Sequence, residues 1–177
     1  MLISDELKTV FLHNPRCAGT SITHSLVQLG FEIVWENTPN VGRTSHQIDI
    51  PIEYKDYFIF TVRRNPYDRF VSNWEKLRAR NNFKLSFEES VCNIPTIPYN
   101  RLWIPQSNFT QHCDYVICFE NLVYDFNKLP FLKESMMLKK VNSVLHKPFV
   151  DYFTPELAQK INIYYQKDFE EGGYQKL

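Results

Sequence analysis

Apolar positions along this chain fall into short runs separated by polar, proline- or glycine-bearing stretches, and the spacing inside each run sets what it forms. Thr9 to His13 reads as an apolar strand, and Tyr57 to Val62 is a continuous apolar run suited to a strand buried on both faces. Phe31 to Trp35 and Tyr115 to Phe119 read as further strands, the second of them buried. Helical spacing takes over from Thr20 to about Leu29, where Ile22, Leu26 and Leu29 share one face and Gly30 ends the helix. Asn65-Pro66 pairs a good cap with a first-turn proline and predicts a helix to about Arg80, with Asp68 complementing its dipole. Helices are also predicted over 86–93, over 122–129, and from Pro155 to Gly172 behind a Thr154 cap. Asn37 to Arg43 is predicted as loop, and Ile94 to Pro105, interrupted by Pro95, Pro98 and Pro105, as an irregular surface stretch. Strands alternating with helices predict an α/β domain with a central, mainly parallel sheet flanked by helices. Such sheets bind ligands beyond the carboxyl ends of their strands.

Composition narrows the class. A chain of 177 residues is read as one domain over 1–177, and 44% apolar with 15% aromatic residues argues against disorder. Twenty basic residues balance twenty acidic ones, so a non-specific nucleic-acid binder is disfavoured. No apolar run reaches membrane-spanning length and Met1 to Glu6 lacks the basic start and apolar middle of a signal peptide, which predicts a cytoplasmic protein with no membrane partner. Cys17, Cys92, Cys113 and Cys118 show neither CxxC spacing nor a disulfide framework and read as reduced packing thiols. The five histidines form no HxH or HExxH group, so no metal is expected.

The stretch Phe11-Leu-His-Asn-Pro-Arg-Cys-Ala-Gly-Thr-Ser-Ile22 carries the first chemistry. A strand, a tight loop and a helix N-terminus leave the first helical N–H groups and the positive end of the dipole facing the loop, and Arg16 adds a fixed cation. Compared with a Walker loop, Gly19 and Thr20-Ser21 fit in part. No lysine stands between Gly19 and the hydroxyl residue, position 14 is Asn, and the cation lies three residues upstream. The loop is an anion cradle without the parts of a standard ATPase; the bland reading is a plain strand–turn–helix connection.

A second motif is Phe60-Thr-Val-Arg-Arg-Asn-Pro-Tyr-Asp-Arg-Phe-Val-Ser-Asn-Trp74. Arg64 stands at the end of a strand, and Arg69 and Ser72, three apart, share a helix face. A guanidinium and a hydroxyl converging on one point suit a phosphate monoester. Pairing with carboxylates such as Asp68 is the structural alternative, evenly matched for Arg69 and less favoured for Arg64.

Together, Pro15-Arg-Cys-Ala-Gly-Thr-Ser21 and Arg64-Asn-Pro-Tyr-Asp-Arg-Phe-Val-Ser-Asn-Trp74 resemble the phosphosulfate-binding signatures of the sulfotransferase superfamily. The likeness is to the carbohydrate (heparan/chondroitin-type) branch and its small soluble relatives, with a P-loop-like three-layer fold. It continues in Pro105-Gln-Ser107, Cys118-Phe-Glu-Asn-Leu122, Tyr152-Phe-Thr-Pro-Glu156 and from Tyr165 through Asp168 to Tyr174. The resemblance implies 3′-phosphoadenosine 5′-phosphosulfate as donor and no metal. Arg16, Cys17, Ala18, Gly19, Thr20 and Ser21 would hold the 5′-phosphosulfate, and Arg64 with Ser72 the 3′-phosphate. Arg16 stands where the family usually has Lys, and Trp74 where it usually has Tyr. An arginine there still stabilises charge on the leaving oxygen but is a poorer proton donor.

The implied reaction moves a sulfuryl group to a hydroxyl of a saccharide or other small alcohol and needs a base. His46, in Gly42-Arg-Thr-Ser-His-Gln47, is the candidate catalytic base beside Arg16, and His13 is its rival. His24 reads as structural, while His112 and His146 have no evident context. Gln106 could contact ligand or pack the loop; Glu120 could pair with an arginine; Trp35 and Trp103 read as packing. A P-loop phosphotransferase and a nucleotide-binding module without turnover remain the competing functions.

Overall fold

The computed structural model describes residues 1–34, 36–38, 42–44, 48–79, 83–94, 96, 100–141 and 144–177. In chain order the strands are β1 (Leu2–Ser4), β2 (Thr9–Leu12), β3 (Glu32–Ile33), β4 (Glu36–Thr38), β5 (Gly42–Thr44), β6 (Phe58–Arg63) and β7 (Tyr115–Cys118). The α-helices are α1 (Gly19–Gln28), α2 (Pro66–Arg78), α3 (Phe87–Cys92), α4 (Ser107–Thr110), α5 (Leu122–Phe126), α6 (Pro155–Tyr164) and α7 (Gln166–Gly172). The chain divides into two compact units, 1–63 with 108–142, and 64–107 with 143–177.

The first unit holds a five-stranded sheet in the order β3-β1-β2-β6-β7. β2, β6 and β7 run parallel, with Leu12 beside Thr61 and Val62 beside Ile117. β1 runs against both of its neighbours, so four of the five strands point one way. This is the mainly parallel sheet expected, with β1 as an element that three residues at the chain start give too little period to predict. A turn returns β1 to β2: Ser4 Oγ accepts from the Leu7 N–H at 3.2 Å and Lys8 takes a φ of 47°. Phe11, Ile22, Leu26, Phe60, Val62 and Ile117 form the centre of this unit's core. Each such side chain contributes about 1.5–3 kcal/mol on burial.

The second unit is built on aromatic rings. Tyr67, Phe70, Trp103, Tyr165 and Phe169 are almost wholly buried, with Phe70 and Trp103 ring centroids 4.7 Å apart. Asn65 caps α2 by accepting from the N–H groups of Tyr67 at 3.0 Å and Asp68 at 3.4 Å, with Pro66 in the first turn as the sequence predicts. Ser86 and Glu89 form a reciprocal capping box at the start of α3, and Thr154 caps α6.

Several expectations are corrected. Asn37 to Arg43 is not all loop: its ends belong to β4 and β5, which pair antiparallel with Asn37 beside Arg43. Both strands are polar, so no apolar alternation announces them. Within the 94–105 stretch, expected at the surface, Ile94 and Trp103 are core residues. β7 is an edge strand, and only Ile117 in it is buried. The helix predicted over 122–129 ends at Phe126. The one predicted from Pro155 to Gly172 is two helices, broken at Tyr165, whose hydroxyl donates to the Trp103 carbonyl at 2.5 Å. A tertiary bond there outweighs a continuous helical pattern. Trp35 and the end of the predicted helix at Arg80 lie outside the described residues.

Candidate functional site

β2 and β6 are parallel neighbours, and each is followed at its carboxyl end by one of the two motifs. In the first unit, Asn14 is fully buried and its side-chain amide donates to the Val62 carbonyl at 2.9 Å. That bond ties the loop to β6 as the chain leaves β2. Arg16 and Ala18 then take left-handed conformations, with φ of 63° and 56°. Neither residue is glycine, so the loop holds about 1–2 kcal/mol of backbone strain at each.

The loop delivers the chain into α1 with Ala18 as its cap residue. No side chain caps α1 and no acidic residue stands in its first turn. Among the described helices of ten residues or more, α2 and α6 have side-chain caps and α1 does not. The open N–H groups and dipole of α1 therefore face the loop that carries Arg16, an arrangement that stabilises an anion. Gly19 is set by a neighbour rather than by its φ. An added Cβ would sit 1.8 Å from Nε2 of His13, so the imidazole lies directly on the glycine. His13 also stacks on Phe11, at 6.0 Å between ring centroids.

The other cradle residues divide by role. Cys17 is wholly buried in the core, and its thiol donates to the Pro15 carbonyl at 3.5 Å. The Ser21 hydroxyl is buried and accepts from the Val141 N–H at 3.2 Å. Thr20 is half-buried. His24 is exposed on α1.

In the second unit, Arg64 is 8% exposed and its Nε donates to Asp68 Oδ2 at 2.7 Å. The pairing weighed as the lesser alternative for Arg64 is therefore present. The Arg64 backbone is clamped as well. Its N–H donates to Gln106 Oε1 at 2.9 Å, and Gln106 Nε2 donates to its carbonyl at 2.8 Å. Gln106 thus braces the loop before α2. Ser72 is buried on α2. Arg69 Nη2 donates to the carbonyls of Leu102 at 3.3 Å and Ile104 at 3.0 Å, which makes it a strut for the 102–104 segment.

Two acidic or basic partners escaped sequence reasoning. Asp168 on α7 accepts from the N–H groups of Gln106 at 2.7 Å and Ser107 at 2.8 Å. Burial pushes its carboxyl above the ordinary range, opposed by the Arg69 charge and these backbone donors. His146 Nε2 lies 3.7 Å from Asp68 Oδ1. The separations of 62 and 78 residues in sequence leave no local signal for either. Glu120 lies exposed in the 3-10 turn Phe119–Asn121. The candidate base His46 lies outside the described residues. Cys113 is a packing thiol, its pKa pushed up to about 12 by burial.

The model of the sulfotransferase family matches residues 1–127. The chain belongs to the sulfotransferase family. No curated protein and no solved structure matches it significantly. The matched span of this sulfotransferase-family chain includes the β2–α1 loop, Arg64, Ser72 and Gln106, and stops short of His146 and Asp168. Among its described residues no helix is long and apolar enough to cross a membrane, and no group of three or more His, Cys, Asp or Glu is placed to hold a metal ion.

Proposed function

We propose that this sulfotransferase-family chain transfers a sulfuryl group from 3′-phosphoadenosine 5′-phosphosulfate to a hydroxyl of a saccharide or another small alcohol. The observation that carries the reading is the uncapped N-terminus of α1 behind a left-handed loop bearing Arg16. It fits a phosphosulfate: helix N–H groups and a permanent cation serve an oxyanion. The donor supplies the sulfuryl group on a phosphate leaving oxygen. Arg16 and the α1 N–H groups stabilise charge as it gathers on that oxygen. Thr20 and Ser21 orient the phosphosulfate. Arg64 with Ser72 takes the 3′-phosphate, Arg64 being held by Asp68 and Gln106. His46 accepts the acceptor's proton as its oxygen bonds to sulfur, with His13 as the alternative base. Saccharide acceptors, membership of the carbohydrate branch, a single domain over 1–177 and a cytoplasmic location belong to the same reading.

Isothermal titration with adenosine 3′,5′-bisphosphate tests it. Micromolar binding that is lost in Arg64→Ala supports the reading. Absence of binding at high micromolar concentration, in a protein whose folding is verified by circular dichroism, counts against it. A second reading, nucleotide binding without turnover, is favoured by arginine at position 16. It requires donor binding with no transfer of labelled sulfate to any acceptor in a saccharide and alcohol screen.

A further inference from the structure

Arg64, Asp68 and His146 form a linked cluster inside the second unit. Asp68 Oδ2 holds Arg64 Nε at 2.7 Å, and Asp68 Oδ1 faces His146 Nε2 at 3.7 Å. The side chains are 9%, 22% and 11% exposed, so water screens them little. His146 Nδ1 sits 2.8 Å from the Lys147 carbonyl oxygen. A carbonyl only accepts, so Nδ1 carries the proton of the neutral ring. Nε2 then turns a lone pair toward a carboxylate, and uptake of a second proton converts that opposition into an ion pair. With neutral His146 the cluster's formal charges cancel; with protonated His146 it carries one net positive charge.

We propose that His146 is a further residue of the phosphate site on Arg64, charged through Asp68 when the nucleotide's 3′-phosphate binds, and that Asp68 is the positioning residue joining the two cations. The inference rests on Arg64 taking the 3′-phosphate. A dianionic group beside the cluster favours the protonated imidazole, so binding of the 3′-phosphate is coupled to proton uptake at His146. Asp68 and Arg64 lie at and before the start of α2, and Lys147 adjoins His146 in sequence. Further along α2, Glu75 accepts from Tyr152 and pairs with Arg78. Among the described residues, Asp68 is the carboxylate that faces the imidazole, at 3.7 Å.

The test is calorimetric titration of the full chain near pH 7 in buffers of differing ionisation enthalpy, which counts protons taken up on binding. Adenosine 3′,5′-bisphosphate and adenosine 5′-phosphate are compared on the parent, His146→Gln and His146→Lys. The expected result is a proton uptake with the bisphosphate that exceeds that of His146→Gln, with no such difference for the 5′-phosphate. His146→Lys, with its permanent cation, binds the bisphosphate at least as tightly as the parent and lacks the extra uptake. His146→Gln binds it roughly tenfold more weakly, the loss of one charge-assisted partner. Equal proton counts in parent and His146→Gln, with both binding the bisphosphate, overturn the inference and leave the function intact. Failure of the parent to bind the bisphosphate removes both. If His146→Gln does not fold, the parent against His146→Lys decides on the same count.

Discussion

The side-chain amide of Gln106 closes a two-bond ring on the backbone of Arg64, accepting from its N–H and donating to its carbonyl. The pairing copies one rung of a β-ladder with a side chain. It fixes the backbone of a residue that neither the strand before it nor the helix after it fully holds.

Gln106→Ala leaves a buried N–H and a buried carbonyl without that partner, a cost of about 2 kcal/mol. Urea unfolding should show the shift in midpoint, and titration with adenosine 3′,5′-bisphosphate a loss of affinity. An unchanged midpoint would mean that the ring contributes nothing.

Gly19→Ala forces a methyl group into the His13 imidazole, 1.8 Å from Nε2. Overpacking of this kind costs about 1–3 kcal/mol. The double variant Gly19→Ala with His13→Ala should be less destabilised than the sum of the two single changes, because the clash is gone. Strict additivity in a denaturant double-mutant cycle rules out the contact as the reason for glycine.

In the proposed function Arg16 is the cation beside the phosphosulfate. Arg16→Ala should lower kcat/KM at least roughly a hundredfold, the usual loss of a charge stabiliser at a leaving oxygen. Arg16→Lys should keep most of the activity or raise it, since an ammonium also delivers a proton. Release of labelled sulfate from the donor reads both. Full activity in Arg16→Ala would remove the cradle from the chemistry.

Asp168 links pH to stability. Its carboxyl is raised by burial, so its contribution is complete in acid, below the unfolded value, and is lost as pH rises through the folded value. Asp168→Asn abolishes that slope. It also gives up one of two acceptors for the N–H groups of Gln106 and Ser107 and strips Arg69 of a buried countercharge. The net expectation at neutral pH is a loss of about 2–3 kcal/mol. Thermal melts from pH 4 to 8 check it; a variant as stable as the parent, with the same slope, contradicts it.

What was legible in the sequence was local. The Asn65 cap, the Thr154 cap, the buried run in β6 and the face of α1 are all written within a few neighbouring residues. So is the cradle: a strand, a loop with a cation and a helix start are contiguous. The lone glycine at position 19 was legible as a loop residue, but its reason, the His13 ring, was not.

The chain order alone determined the α/β class and the caps of α2 and α6, because strand and helix periods and caps act over distances of a few residues. The folded chain alone decided that Arg69 braces carbonyls, that Gln106 and Asp168 hold the segment before α4, and that His146 comes against Asp68. Those partners stand 33 to 78 residues apart. A buried charge or amide accepts whichever complementary group packing brings within about 3 Å, and no pattern along the sequence encodes that meeting.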